Sequence, residues 1–201
     1  QSRLVAGLTS YIQGRYACHS WWDDYVRDTY KAEAKILAME ALSRYKSFST
    51  NLLSTVLVNP NIWKNETLTA WFQLLKRQTE IPNRDGLLKQ AENILRSRVN
   101  FQGSMMNLQG DVDWTAQWLL MTSRDQEALG VFGVFLDEPA WGSDVGRMAR
   151  GVIARLRLGQ WDSTMANAWG VTQLRRFSQK FEKEKISGET KIFAPGADSA
   201  S

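Results

Sequence analysis

The sequence predicts an all-α protein of stacked helical hairpins, arranged as an open solenoid or as a partial or complete α/α toroid. Apolar residues recur every three or four positions through most of the chain, a spacing typical of amphipathic helices. Turn-forming clusters of Pro, Gly and Asn separate these segments. Tryptophans also recur regularly: Trp22, Trp71, Trp118 and Trp169 are separated by 49, 47 and 51 residues. A unit of about 50 residues accommodates two helices, and such units bury their apolar faces by stacking on their neighbours.

The first half of the chain contains four predicted helices. Asp23 or Asp24 can cap the second helix. Pro60 interrupts the pattern before the third, and a turn cluster around Pro82 and Gly86 separates the third from the fourth. The apolar stripes of these helices are, in order, Leu4, Leu8, Tyr11 and Ile12; Val26, Tyr30, Ile36, Leu37 and Leu42; Leu68, Trp71, Phe72 and Leu75; and Leu87, Leu88, Ala91, Ile94 and Leu95.

The second half continues this pattern. Helices are predicted over residues 114–121, 125–136, 145–158 and 164–183. Strand-like alternation is scarce, and one short strand is predicted in "ETKIF" after Gly188. The chain therefore divides into a helical-hairpin domain over residues 1–186 and a C-terminal tail of β type over residues 187–201, which leads out of that domain.

The segment "GQWDSTMANAWGV" predicts a joint between two hairpins. Gly159 allows a tight turn, and the Asp-Ser-Thr run after Trp161 can cap the following helix. Small residues before Trp169 allow close helix packing, while an indole fills the gap between hairpins. We therefore expect a structural role, rather than ligand stacking, for the six residues of this repeat: Trp22, Trp71, Trp118, Trp169, Gly159 and Trp161.

Composition excludes several kinds of site. The net charge is +4, and the densest basic set falls on helices that also carry apolar faces, which favours a solvated surface over nucleic-acid binding. A single cysteine excludes an internal disulfide and a cysteine-based zinc site. No phosphate loop and no His-x-x-x-His pair occurs, so neither a metal nor a cofactor is expected. No apolar run approaches the about 20 residues of a membrane helix. Because the chain starts at Gln1 without a signal-peptide pattern, we expect a piece of a longer protein.

Four segments carry a likeness to a known family. In order, they are "RLVAGLTSYIQGR", "PNRDGLLKQAENILRSRVNFQG", "LDEPAWGSDVGRMARG" and "WDSTMANAWGVTQLRRFSQKFE". Together they resemble the thioester-domain region of bacterial alpha-2-macroglobulin-like proteins, over residues 3–190. The family's thioester domain is an α/α toroid, and "SGETKIF" looks like its exit into a neighbouring β domain. The resemblance implies a non-enzymatic module of a periplasmic or cell-envelope protein, secreted and often lipid-anchored, whose full-length form inhibits endopeptidases by trapping them.

The chain departs from this family at the reactive centre. Trapping there uses a thioester between a cysteine and a glutamine in a Cys-x-x-Gln turn. The only cysteine here continues as Cys18-His19-Ser20-Trp21, so no thioester can form within these residues. We expect either a reactive motif upstream of Gln1 in the parent protein, or a parent without a thioester in which this module is a docking surface.

The alternative is an α/α-toroid enzyme or ligand-binding domain for an apolar or glycan substrate. "DVDWTA" resembles the acid motif of class II terpene cyclases, in which Asp113 would protonate an alkene. Trp114 replaces the third carboxylate of that motif, which removes part of the acidity tuning. A helix cap is the other interpretation of Asp113. The Cys18–His19 pair and the "WWDD" run do not predict a catalytic pair, because adjacent residues rarely face each other usefully.

Overall fold

The computed structural model describes residues 1–15, 28–109 and 123–182, and within these ranges it confirms the all-α class. Its helices are α1 (Ser2–Ile12), α2 (Asp28–Arg44), α3 (Asn65–Arg77), α4 (Arg84–Ser97), α5 (Arg124–Phe135), α6 (Val145–Ala154) and α7 (Thr164–Phe181). Short 3₁₀ turns cover Thr50–Thr55, Pro60–Ile62 and Pro139–Trp141. The predicted helix over 114–121, the predicted strand after Gly188 and the tail over 187–201 lie outside the described residues.

Four helices, α2, α3, α5 and α7, form a row in which each packs against the next. Polar contacts at both ends show the relative direction of α2 and α3. In the first half of α2, Glu33 accepts a hydrogen bond of 2.7 Å from the hydroxyl of Thr67, in the first turn of α3. In the second half of α2, Glu40 pairs with Arg77, the last residue of α3. The two helices therefore run parallel.

The same arrangement continues along the row. Near the starts of α3 and α5, the Asn65 amide donates to Glu127 Oε2 over 3.0 Å. The N-cap residues of α5 and α7 are Ser123 and Ser163, whose hydroxyl oxygens lie 3.2 Å apart. Ion pairs join the opposite ends of these helices: Lys76 with Glu138, and Arg176 with Asp137. All four helices of the row therefore point the same way.

A second layer runs in the opposite direction. At the start of α4, Arg84 donates to the carbonyl of Leu75 near the end of α3. Just beyond the end of α4, Arg98 donates to the carbonyl of Trp63, which precedes α3. Similarly, α6 packs on α5, and Arg155 after α6 pairs with Asp125 in the first turn of α5. A parallel row with a second, antiparallel layer is the arrangement of stacked helical hairpins, which occurs in open solenoids and in α/α toroids.

One apolar core lies between the two layers. Its largest fully buried side chains come from α3, α5 and the segments that lead into α3 and α6: Trp63, Trp71, Phe132, Phe135 and Trp141. Burial of such aromatic side chains is the main source of stability in a domain of this size.

A β-hairpin between residues 99 and 108 is the main departure from the predicted elements. Strand β1 (Val99–Gln102) pairs antiparallel with β2 (Met105–Leu108), and Gly103 adopts a φ of +60° in the turn. The apolar spacing of α4 continues into β1 without a break, so the sequence does not indicate where the strand begins. The hairpin packs on α6 through β2.

Candidate functional site

Trp161 forms the joint between α6 and α7. Its side chain is buried, and its ring nitrogen donates to the carbonyl of Val152 in α6 over 2.9 Å. Its ring also lies against Gly170 in α7, where an added Cβ would stand 2.1 Å from the nearest ring atom. Only a glycine at position 170 allows this approach.

A tight turn positions Trp161. Leu158 and Gly159 adopt φ angles of +52° and +79°, and they close a two-residue turn between Arg157 and Gln160. This turn explains why α6 ends at Ala154 rather than continuing to residue 158, as its apolar pattern predicted. The left-handed conformation of Gly159 agrees with the tight turn expected from the sequence.

Carboxylate contacts reinforce the same joint. Asp125 in α5 is buried, and its Oδ1 accepts a hydrogen bond of 2.6 Å from Arg155 Nε. Its Oδ2 accepts from the backbone N–H of Asp162 over 3.0 Å. One aspartate therefore ties α5 to the end of α6 and to the segment that begins α7.

The regularly spaced tryptophans have different surroundings. Trp71 is fully buried and meets Trp63 edge-on, with ring centroids 5.8 Å apart. Trp169 is half-buried and lines an open cleft. Trp22 and Trp118 lie outside the described residues. The sequence spacing of Trp71 and Trp169 therefore does not correspond to one repeated packing position.

Replacing Gly170 with alanine tests the joint. The new methyl group must displace the buried Trp161 ring, so we expect the free energy of unfolding to fall by about 1–3 kcal/mol in urea denaturation. Gly130→Ala in α5 is the matched control, because no atom of the described residues lies within 4 Å of its added Cβ. The free energy of unfolding of that variant should equal the wild-type value or exceed it by up to about 1 kcal/mol. Equal effects of the two substitutions would contradict the tight contact.

The inner row of helices lines a cleft of about 520 Å³. This volume falls within the range of about 300–1,000 Å³ that is usual for small-molecule sites. Charged side chains from all four helices converge on it: Glu40 and Arg44 from α2, Glu66 and Arg77 from α3, Glu127 from α5, and Arg176 from α7. The cleft is therefore the strongest candidate site in the described part of the chain.

An acidic end of the cleft lies at the starts of α3 and α5. Glu66 Oε1 accepts a hydrogen bond of 3.2 Å from the Gln126 amide, and Glu127 accepts from the Asn65 amide. Burial, and then repulsion from Glu127, raise the pKa of Glu66 to about 7, although the hydrogen bond from Gln126 opposes the shift. Burial also raises the pKa of Glu127, against the hydrogen bond from Asn65 and the nearby charges of Lys64 and Arg98.

A basic end lies where α2, α3 and α7 finish. Glu40 accepts from Arg44 Nε over 2.9 Å and also pairs with Arg77. Arg176 contacts Asp137 and the side chain of Gln173. The two guanidinium groups on Glu40 leave a net positive charge at this end.

The raised pKa of Glu66 predicts a stability that depends on pH. The folded chain holds the Glu66 proton up to about pH 7, whereas the unfolded chain releases it near 4.5. The folded state therefore binds more protons in this window, and its stability should fall as the pH rises from 4.5 to 7, by at most about 3 kcal/mol. Glu66→Gln should remove most of this slope in urea denaturation. Glu80→Gln, at an exposed glutamate, is the control and should retain it.

Five residues singled out in the sequence lie outside the described residues: Cys18, His19, Asp23, Asp24 and Asp113. Sequence reasoning also missed Glu66, Glu127 and the cleft arginines. The available signal was the recurrence of Gln and Arg in the C-terminal halves of two inner helices, in "QLLKR" and "QLRR".

No family model, no curated protein and no solved structure matches this chain. Within residues 1–15, 28–109 and 123–182, His, Cys, Asp and Glu form no group of three or more that could hold a metal ion. Over the same ranges, none of the helices combines the length and the apolar character needed to cross a bilayer.

Proposed function

We propose that this chain is a helical module of the thioester domain of a bacterial alpha-2-macroglobulin-like protein, without enzymatic activity of its own. Its parent is an endopeptidase inhibitor of the periplasm or cell envelope. The observation that supports the proposal is the two-layered stack of helices, because parallel inner helices with antiparallel outer helices agree with the architecture that the sequence resemblance implies.

The Trp161 joint supports a mechanical role. Trp161 fixes α6 to α7 through Val152 and Gly170, while Asp125 connects both to α5. A wall of helices held in this way can shield a strained bond from water and keep its orientation. In a parent with a thioester, this chain covers and positions it; in a parent without one, the wall is a docking surface. The partners of the parent are proteases, and this module contacts its neighbouring β domains.

A thiol titration tests the thioester part of the proposal. Methylamine cleaves an internal thioester and frees its cysteine. This chain should contain one titratable thiol, from Cys18, both before and after treatment. If the natural parent carries a Cys-x-x-Gln turn elsewhere, it should gain one thiol per chain. A new thiol released from residues 1–201 alone would overturn the assignment.

A protease-shielding assay tests the trap itself. The natural parent is incubated with an endopeptidase and separated by size exclusion. A trapped protease should elute with the inhibitor, cleave a small chromogenic peptide and fail to cleave a large protein. If endopeptidases of several specificities neither co-elute nor lose activity against large substrates, the proposal is wrong.

The cleft favours a second candidate, an α/α-toroid enzyme or ligand-binding domain for a glycan or apolar substrate. Glu66, with a pKa of about 7, has the acidity of a general acid at neutral pH, and it lines a cavity of suitable size. If the chain turns over a glycan or apolar substrate, loss of that activity in Asp113→Asn or Glu66→Gln, with the free energy of unfolding unchanged, would support this function. An unchanged rate in both variants would exclude these residues as the acid.

A further inference from the structure

The cleft of the inner row has opposite charges at its two ends. Because the helices run parallel, Glu66 and Glu127 lie together at the N-terminal end, and Arg44 and Arg77 lie together at the C-terminal end. Glu66 and Arg77 are eleven positions apart in α3, which corresponds to roughly 16 Å along the helix axis. We propose that this cleft binds an extended peptide segment of about four or five residues, basic at one end and acidic at the other.

Among the described residues that line the cleft, the cations Arg44, Arg77 and Arg176 lie at the end opposite the acidic one. The hydrogen-bond partners of Glu66 and Glu127 among the described residues are the neutral amides of Gln126 and Asn65. Burial and mutual repulsion destabilise two neighbouring carboxylates in their charged form, and a cation placed between them offsets this effect. The other charged groups near the pair are Glu33 of α2, Lys64 before α3 and Arg98 after α4. A lysine or arginine side chain of the peptide therefore fits at this end.

The basic end offers a guanidinium group that can turn to a ligand. The Arg44 side chain is 53% exposed, whereas its partner Glu40 is buried and also held by Arg77. Arg44 can therefore bind a carboxylate of the peptide without leaving Glu40 unpaired. Guanidinium groups bind carboxylates through two parallel hydrogen bonds, which gives this end its specificity.

The middle of the cleft suits a peptide backbone. Gly130 and Gly133 of α5 line it, and in the described part of the chain no atom lies within 4 Å of a Cβ added at Gly130. Gln126 lines the same cleft, and its buried side-chain oxygen has no hydrogen-bond partner among the described residues. Buried acceptors are normally satisfied, and a rotation of the Gln126 amide toward the cleft would let this oxygen accept the N–H group of a bound backbone.

Titration calorimetry with defined peptides tests the proposal on the folded chain. The main probe is acetyl-Lys-Ala-Ala-Ala-Glu-amide. The controls are the same peptide with lysine at both ends, the same peptide with glutamate at both ends, and a neutral trisaccharide. The mixed peptide should bind about tenfold more tightly than either single-charge peptide. Its affinity should also rise between pH 6 and 8, because Glu66 loses its proton there.

Variants separate the two ends of the site. Glu66→Gln should lower the affinity for the mixed peptide about tenfold and remove the increase in affinity between pH 6 and 8. Arg44→Gln should lower the affinity by a similar factor, but the increase with pH should remain. Glu80→Gln, at an exposed position, should bind like the wild type. Circular dichroism and urea denaturation establish that each variant is folded.

Three results would overturn the peptide site. The first is no binding of the mixed peptide at about 1 mM. The second is binding that Glu66→Gln and Arg44→Gln leave unchanged. The third is tight binding of the trisaccharide in place of the peptide, which would assign the cleft to glycans. None of these results bears on the protease-trap proposal, which the thiol and shielding assays test separately.

Discussion

Replacing Gly151 with alanine is expected to lower the free energy of unfolding by about 3 kcal/mol or more. Gly151 lies in α6 directly against the β-hairpin. A Cβ added there would stand 2.1 Å from the carbonyl oxygen of Met106 and 3.0 Å from its carbon. These are backbone atoms, so a rotamer change cannot relieve the overlap. The helix and the hairpin must separate, which exposes part of the core that Met106 covers.

Gly146→Ala is the matched control for this substitution. It lies in the same helix, and the nearest atom to its added Cβ is the end of the flexible Arg150 side chain, 4.0 Å away. Alanine has the higher helix propensity, so Gly146→Ala should be neutral or stabilise by up to about 1 kcal/mol. Urea denaturation of both variants gives the difference. If Gly151→Ala retains the wild-type midpoint, α6 and the hairpin are not in backbone contact.

Local periodicity predicted the helices well because each helix buries one face. The stripe of Leu68, Trp71, Phe72 and Leu75 is buried in α3, and the apolar run before residue 137 corresponds to α5. The parallel direction of the inner row could not be predicted in this way. It depends on contacts such as Glu33 with Thr67 and Asn65 with Glu127, which join residues more than 30 positions apart.

The cleft could not be predicted from the sequence either, because its charged residues occupy ordinary positions at helix ends. Glu66 and Glu127 lie in the first turns of helices, where acidic residues commonly complement the helix dipole. Arg44 and Arg77 lie in last turns, where cations are equally common. Only the packing of α2, α3 and α5 side by side brings these groups to one cavity. The tryptophan spacing, by contrast, is visible in the sequence but does not specify the environment of each ring. Trp71 is fully buried, whereas Trp169 lines the cleft.

Trp141→Ala is expected to destabilise the chain by about 3–5 kcal/mol, the usual cost of removing a large buried aromatic side chain. Trp141 is fully buried just before α6 and stacks on Phe135 at the end of α5. Arg96 of α4 lies over its ring, 4.0 Å from the centroid, and its ring nitrogen donates to Glu92 over 2.8 Å. One indole therefore fills the space between the end of α5 and the outer helix α4.

Trp141→Phe divides this effect into packing and hydrogen bonding. Phenylalanine retains a ring against Phe135 and loses the donor to Glu92, whose side chain is 30% exposed and can be solvated instead. The loss should therefore be smaller, about 1–2 kcal/mol, while the alanine variant also leaves a cavity. Equilibrium unfolding in urea measures both. If Trp141→Phe costs as much as Trp141→Ala, the hydrogen bond to Glu92, and not the filled space, holds α4 against α5.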